Sequence, residues 1–496
     1  MLYIRVVKTG SGSRAVQVVY YINRKRIIYK HIGSAKTDEQ IEQLKIVAQD
    51  LIDNHIPPLP IIEPVKFDNL LYMDQCDFLG VYYSLFYEVI TKLIIQFGLE
   101  KIKNKLLLDL VIIRIFEPAS KLRSIELIET YFGIKHQRKN YYKSTSKWAV
   151  LKSKTETAIV DFARQNYGFK YDLLFYDVTT LYFETFEEDE LRKNGFSKDN
   201  KSQQPQILIG LMVSEEGFPI SYEIFKGNTF EGHTIIPVVQ KFIDKYNVKD
   251  FIVVADAAMI SSKNIELLLQ SNINYIVGAR LANISEKILN TIDQKIIRED
   301  GKSIRIKTNN GFLICSYSSV RYRKDKYEMK KQIQKALSII ETPSKSKKVK
   351  FIKSTDSKHM LNEELIEKTT KLLGIKGYYT NLDENILSNT TIIERYHELY
   401  KVEHAFRISK NDLQARPIYH FKEDPIQLHI LICFISLAIS KHIELKTNVS
   451  IRKFVTECKK ITDARLLNKL SNKEIKIRSK YNDQILSFIS IFNLSH

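Results

Sequence analysis

Cysteine is scarce: Cys76, Cys315, Cys433 and Cys458 are the only four in 496 residues, and no two form a CxxC pair. That spacing argues against a thiolate zinc site and a disulfide framework, and suits a reducing, cytoplasmic setting. Glycine (17) and proline (11) are also few, while 44% of residues are hydrophobic, which excludes a disordered or low-complexity chain. No long apolar leader opens the sequence. Its longest greasy run, IQLHILICFISLAIS, spans 15 residues and includes Gln427 and His429, so it is read as a core helix too short for a bilayer. No membrane partner is expected. Negative charge is in short supply too, with 57 Asp+Glu against 76 Lys+Arg and a net charge of +19. A polyanion is the implied partner, nucleic acid first, although a Lys- and Ile-rich genome would leave the same mark.

LYIRVV, AVQVVYYI and RIIYKHI alternate as strands, with Asn23, Arg24 and Lys25 as a turn. Thr37 followed by Gln40 predicts a capping box opening a helix that closes before Pro57 and Pro58. GSGSRA, from Gly10 to Ala15, resembles a dinucleotide loop in spelling, but a strand follows it where a helix is required. Residues 1–76 are thus a β module plus helix, and 77–165 a helical domain. Within the latter, Arg138, Lys139 and Lys143 interleave with Tyr141, Tyr142 and Trp148, a pattern suited to phosphate contact and base stacking or to a solvated loop. From 166 to 280, strands near 172–178, 206–213, 219–225 and 251–257 alternate with helices as a mixed α/β sheet. Residues 281–376 are read as a basic, β-rich insertion. The sheet resumes over 377–445, and 446–496 form a helical tail.

Three carboxylates stand out. At about 100° per residue, TIIERYHELYKVEHAFRISK projects Tyr396, Leu399, Tyr400, Glu403, Phe406, Arg407 and Lys410 from one side, so Glu403 is predicted to face inward. A buried carboxylate needs a positive partner, either Arg407 and Lys410 or a metal ion. Asp177 interrupts the apolar run LLFYDVTTLYF, and Asp256 ends FIVVA. Sheet crevices are where α/β proteins bind ligands, and three converging carboxylates offer the hard oxygens that Mg²⁺ or Mn²⁺ prefers. Two such ions would perform phosphoryl transfer. Plainer alternatives are a helix N-cap for Asp256, a strand-end acid beside Thr179 and Thr180 for Asp177, and an Arg407 pair for Glu403. A lone His429 in an apolar helix is read as structural.

Tyr396, Glu403 and Lys410 fall at the spacing of a Y-x2-R-x3-E-x6-K signature, with Leu399 at its arginine position. With YDVTTLYF, FKGNTFEGHT, VADAAMIS, YIVGAR and EHAFRISKNDLQARPIYH, the stretch from about Tyr171 to Ser440 resembles the DDE transposases of bacterial insertion sequences. The resemblance implies an α/β, ribonuclease H-like mixed-sheet catalytic core interrupted by a β-rich insertion domain and preceded by an N-terminal β module and a helical domain. It also implies that Asp177, Asp256 and Glu403 are catalytic and hold two Mg²⁺ ions, with Mn²⁺ able to substitute and Asp177 as the bridge. Tyr396 and Lys410 would touch DNA phosphate, Arg407 would replace the missing arginine, and Arg280 and Lys226 are weaker candidates. The β module and the helical domain, with Arg138, Lys139 and Lys143, would read terminal inverted repeats. Partners are then double-stranded DNA, as repeats and as target, and a second copy of the chain in a synaptic complex within the bacterial cytoplasm. The only Trp, Trp148, lies outside the insertion, so a hairpin route would need Tyr317 or Phe312 as the stacking aromatic. A catalytically silent descendant, a nuclease without strand transfer and a metal-free RNA scaffold are the rival readings.

Overall fold

The computed structural model describes residues 2–22, 25–54, 73–196, 201, 203–248, 251–259, 261–309, 311–341, 349–355, 358–469 and 471–494. Two compact units divide the chain: Met1–Tyr83 with Ile461–Lys480, and Ser84–Lys460 with Tyr481–His496.

In the first unit, strands Tyr3–Lys8, Arg14–Ile22 and Lys25–Ala35 form an antiparallel sheet in sequence order. Helix Asp38–Asp53 covers it, packing Ile41, Leu44 and Ala48 on Val16 and Val18. Its cap is Thr37, whose hydroxyl accepts the Gln40 N–H at 3.4 Å. The expected turn residues Asn23 and Arg24, and the stop at Pro57 and Pro58, lie outside the described residues. Two sequence expectations fail here. Residues Cys76–Tyr82 form a strand, so the helical domain starts later than 77. The tail is not helical throughout, because Asp463–Asn468 and Lys473–Arg478 pair with each other and with Cys76–Tyr82. KEIKIR alternates with the period of a strand, and the buried Asp463 is held by Arg478 at 2.6 Å and Lys476 at 2.9 Å from the neighbouring strand.

The second unit is built on an eight-stranded mixed sheet. Its first five strands in the chain are Leu173–Tyr182, Gln206–Val213, Pro219–Lys226, Ile252–Ala255 and Asn274–Ala279, and they lie side by side in the order 3-2-1-4-5. The first, fourth and fifth run parallel, and the second is antiparallel to both of its neighbours. Helices Ile235–Tyr246 and Ser262–Gln270 supply the crossovers that parallel pairing needs. QILIGLMV is buried at every position, as a strand covered on both faces should be.

The insertion is not a separate β-rich domain. Strands Ser303–Thr308 and Gly311–Tyr317 extend the same sheet through Ile375–Thr380, which pairs with Asn274–Ala279. Leu313 and Cys315 bury into one core with Leu281, Leu289 and Ile292. The rest is mostly helical, dominated by Ser319–Glu341, which carries Arg321, Arg323, Lys324, Lys326, Lys330 and Lys331 and buries only Ala336. Lys345, Lys347 and Lys348 lie outside the described residues.

Helix Glu423–Thr447 is 25 residues long, longer than its greasy run suggested. Among the described residues it is the one helix with the length and apolarity to cross a bilayer, yet its whole apolar window is buried inside the protein. It packs on helices Lys105–Phe116 and Trp148–Tyr167 and on strand Pro219–Lys226.

Candidate active site

The signature stretch is not one helix. It breaks after Asn389–His397, restarts as Tyr400–Arg407 and ends in a π-helical turn, Ile408–Asp412. Phase is lost at the break, so Val402, Ala405 and Phe406 take the apolar face while Glu403 and Arg407 are exposed. The expectation of an inward Glu403 is corrected accordingly. An exposed glutamate needs no cation to offset burial, and among the described residues Glu403 forms no ion pair with Arg407. Its helix packs on strand Leu173–Tyr182.

That strand carries Asp177, half-buried in a run otherwise almost wholly buried. Alternation puts Phe175, Asp177 and Thr179 on one face. This is the face under the Glu403 helix, since the Lys401 ammonium lies 5.8 Å from the Phe175 ring and Thr179 shares a small cavity with Phe406 and Lys410. The Val178 N–H donates to Asp177 Oδ1 at 2.7 Å. In the parallel register Tyr176 faces Ala255, so the next residues, Asp177 and Asp256, stand side by side on strands about 5 Å apart.

Asp256 is exposed. It does not cap the following helix, whose N-cap is Ser261. Instead its Oδ1 accepts the Tyr396 hydroxyl at 3.0 Å. Tyr396 is 7% exposed, and burial, the Asp256 charge and, more weakly, Glu403 all push its phenol well above its ordinary value. Gly278 makes this contact possible, because a Cβ there would run into the Tyr396 hydroxyl. The Lys376 ammonium sits 4.6 Å from the Tyr396 ring. Burial and the nearby Arg321 lower the Lys376 pKa, while Asp256 and Glu403 pull it back up. Asp256 and Glu403 therefore act on the same tyrosine and the same lysine, one from a strand end and one from a covering helix. Lys376 is a site residue that sequence reasoning missed. Only the pairing of Ile375–Thr380 beside Asn274–Ala279 brings it in, and no local pattern marks it.

The remaining predicted residues divide. Lys410 lies in the π turn over Thr179. Arg280 lines a cleft of about 510 Å³ with Arg321, Lys350, Lys368 and Lys376. Leu399, at the signature arginine position, is buried. Arg395 and Lys401 are engaged by Glu215 and Glu398, which leaves Arg407 as the exposed cation beside Glu403. Lys226 is not brought in: it lies two strands and four residues from the level of Asp177, on the order of 15 Å away, and pairs with Glu190 at 3.4 Å. Arg138, Lys139 and Lys143 sit on helix Arg138–Thr145. Trp148 donates its indole N–H to Asp424 at 2.9 Å. His429 is buried and bonds to the Ala415 carbonyl, a structural position.

Asp177, Asp256 and Glu403 are hard oxygen donors of the type that Mg²⁺ takes. Among the described residues, no three His, Cys, Asp or Glu side chains stand close enough to form a ready-made metal site. The donor chemistry fits, and closing the set requires side-chain adjustment.

The family described as "Transposase DDE domain" matches residues 168–439, more than half of the chain. No curated protein sequence matches it. A solved structure described as a piggyBac transposase synaptic complex with hairpin DNA is similar at a TM-score of 0.38 and 13% identity, over 70% of this chain and 68% of that one. A likeness that slight carries no argument here.

Proposed function

The chain belongs to the transposase DDE domain family, and on that premise we propose that it is a DNA transposase of the insertion-sequence type. It binds the terminal inverted repeats of a mobile element, cleaves the ends and joins them to target DNA. The observation that carries this reading is the placement of Asp177 and Asp256 each one residue beyond the Tyr176–Ala255 pair of two parallel strands, the first of which lies under the Glu403 helix. The 3-2-1-4-5 strand order, with its second strand antiparallel, supports a ribonuclease H-like core.

The three carboxylates would hold two Mg²⁺ or Mn²⁺ ions, which supply Lewis acidity at the attacking and leaving oxygens of a phosphodiester. Asp177, on a strand inside the sheet, would hold metal together with Asp256 and Glu403. Tyr396, buried and bonded to Asp256, is a positioning residue that fixes the orientation of Oδ1, in place of the phosphate contact expected from its signature. Lys376 is drawn by both Asp256 and Glu403 and places a cation beside the Tyr396 ring. Arg407 and Arg280, both exposed, would meet DNA phosphate, with Lys410 beside them in the turn over Thr179. Synapsis of two ends calls for a second copy of the chain.

The test is cleavage and strand transfer on a labelled duplex bearing the element's own terminal repeat, with Mg²⁺ or Mn²⁺, comparing the native protein with Glu403→Gln. Loss of both activities with duplex binding retained supports the reading. Undiminished activity in the variant overturns it. Cleavage without joining of pre-cut ends would identify a nuclease instead.

A further inference from the structure

A basic cavity of about 660 Å³ lies in the helical region, between helix Lys105–Phe116, the start of helix Lys121–Phe132, Arg138 and residues 414–420. Arg114, Lys121, Arg123 and Arg138 line it, and no Asp or Glu does. Arg123 is answered by Glu126 at 3.1 Å. Among the described residues Arg114, Lys121 and Arg138 pair with no carboxylate.

Arg114 is the anomaly. It is 7% exposed, and the bond its guanidinium makes, to the Gln414 carbonyl, is long at 3.4 Å. A guanidinium does not shed its proton on burial, so its charge calls for a counter-charge. Nearby cations make matters worse. Lys121 Nζ and Arg138 Nη2 converge on one phenol, donating to the Tyr142 hydroxyl at 3.0 and 3.4 Å. Their bonds and charges pull the exposed Tyr142 phenol down to about 8. His420, which also lines the cavity, is pushed down to about 4 by burial and by Lys121 and Arg114. Helix Lys121–Phe132 adds to the imbalance, since its first turn holds Lys121 and Arg123 with no acid, the reverse of what its dipole favours.

We propose that this cavity is a phosphate-binding site, in which Arg114, Lys121 and Arg138 and the N-terminus of helix Lys121–Phe132 enclose one phosphate group. A phosphate supplies the missing negative charge, accepts planar guanidinium bonds and suits a helix N-terminus. The source we assign is a backbone phosphodiester of DNA, an assignment that rests on the transposase reading, and free phosphate is the other source of the same chemistry. The site would hold the helical region to the duplex and would be indifferent to base sequence.

The experiment uses the full chain and the double variant Lys121→Gln/Arg138→Gln, with Arg138→Glu as a second variant and circular dichroism as the check on folding. Thermal midpoints are compared in inorganic phosphate and in chloride at matched ionic strength, and affinity for a short duplex is measured across salt concentrations. We expect phosphate to stabilise the native protein and not the variants. Duplex affinity should fall about tenfold in the double variant, with the slope of log K against log salt shallower by about 1. Lost phosphate stabilisation with unchanged duplex affinity assigns the site to free phosphate. No difference between folded variant and native protein in either assay overturns the proposal. If metal-dependent cleavage stays intact while the phosphate response fails, only the pocket is lost. If the phosphate response stands while cleavage is absent, only the transposase reading is lost.

Discussion

Replacing Tyr396 by Phe removes one oxygen and tests the assembly of the carboxylates directly. The ring would stay in place, packed at 4.9 Å from Tyr378 and 4.6 Å from the Lys376 ammonium. What is lost is the hydroxyl bond to Asp256 Oδ1 at 3.0 Å. Bonds to an ionised group contribute about 1.5–3 kcal/mol. Asp256 is exposed, so water replaces the phenol in the resting protein, and stability should fall by only about 1 kcal/mol. Water does not fix the carboxylate, however. If orientation of Asp256 matters in the transition state, the full value of the bond appears in the rate, roughly a 10- to 100-fold loss. The assay is single-turnover cleavage of a labelled terminal-repeat duplex, with duplex affinity measured in parallel and expected to be unchanged. A folded variant that cleaves within about twofold of the native rate would refute the positioning argument. Unchanged cleavage of bound DNA with weakened affinity and a shallower salt slope would return Tyr396 to the phosphate-contacting role that its signature suggests.

Gly278→Ala places a methyl against the Tyr396 hydroxyl, so it should cost about 1–3 kcal/mol in urea denaturation and lower cleavage as Tyr396→Phe does, with the double variant less impaired in stability than the two losses combined. Lys376→Met removes the cation that acts on both Asp256 and Glu403; half-maximal cleavage should then need less Mn²⁺, and an unchanged metal requirement would exclude Lys376 from the site's electrostatics. Lys152 bridges Glu156 at 2.9 Å and Glu223 at 3.0 Å; the two carboxylates also keep Lys245 at 3.0 Å and Lys241 at 2.8 Å, so Lys152→Met should cost about 1–3 kcal/mol for the charged hydrogen bonds lost. Burial raises Glu156, but Lys152 and Lys245 more than reverse it and hold its carboxyl below the ordinary 4.5, so the native stability it contributes is present above that value and lost as pH falls through the folded pKa. Burial lowers Lys152, but its two glutamates carry it above the ordinary 10.5, so its contribution is present below that value and lost as pH rises through the folded pKa. Urea denaturation across pH should show the gap between variant and native protein narrowing in acid, and a constant gap would contradict the pairing.

Asp177 and Asp256 were legible because an acid inside LLFYDVTTLYF, or at the end of FIVVA, contradicts its surroundings, and that contradiction is local. The order of strands and helices from 172 to 279 was legible for the same reason, since buried runs and crossover helices carry their own periods. Which strands become neighbours is not a local property. The β-rich reading of 281–376 suits Ser303–Thr308 and Gly311–Tyr317, yet nothing within them says that Ile375–Thr380 will join them to the main sheet, and Lys376 reaches the site only by that pairing. In the tail KEIKIR carries a strand period, but its Lys and Glu are poor strand formers, so composition and period point to different elements there. Glu403 was misplaced by carrying one phase through a stretch that contains no Pro or Gly to mark an interruption. Val402, Ala405 and Phe406 alone, at i, i+3 and i+4, give the observed face.

The break itself explains how residues seven apart can serve two strands. In an unbroken helix Tyr396 and Glu403 would lie about 10 Å apart on nearly the same line, over a single strip of the sheet. Instead, segment Asn389–His397 packs on Ile252–Ala255, Asn274–Ala279 and Ile375–Thr380, while segment Tyr400–Arg407 packs on Leu173–Tyr182 and Gln206–Val213. Tyr396 thereby reaches Asp256, and Glu403 comes to the face that carries Asp177. The interruption is braced from the hairpin that joins Gln206–Val213 to Pro219–Lys226. Glu215 in that hairpin pairs with Arg395 before the break and offers its carbonyl to Lys401 after it, while Glu398, at the break, pairs with Lys401 at 3.1 Å. Arg395 and Lys401 flank the signature position that Leu399 occupies, and both are committed to holding the backbone. An arginine at 399 would have to replace a buried side chain in this brace, so the exposed Arg407, on the segment that carries Glu403, is the cation this geometry leaves uncommitted to the brace.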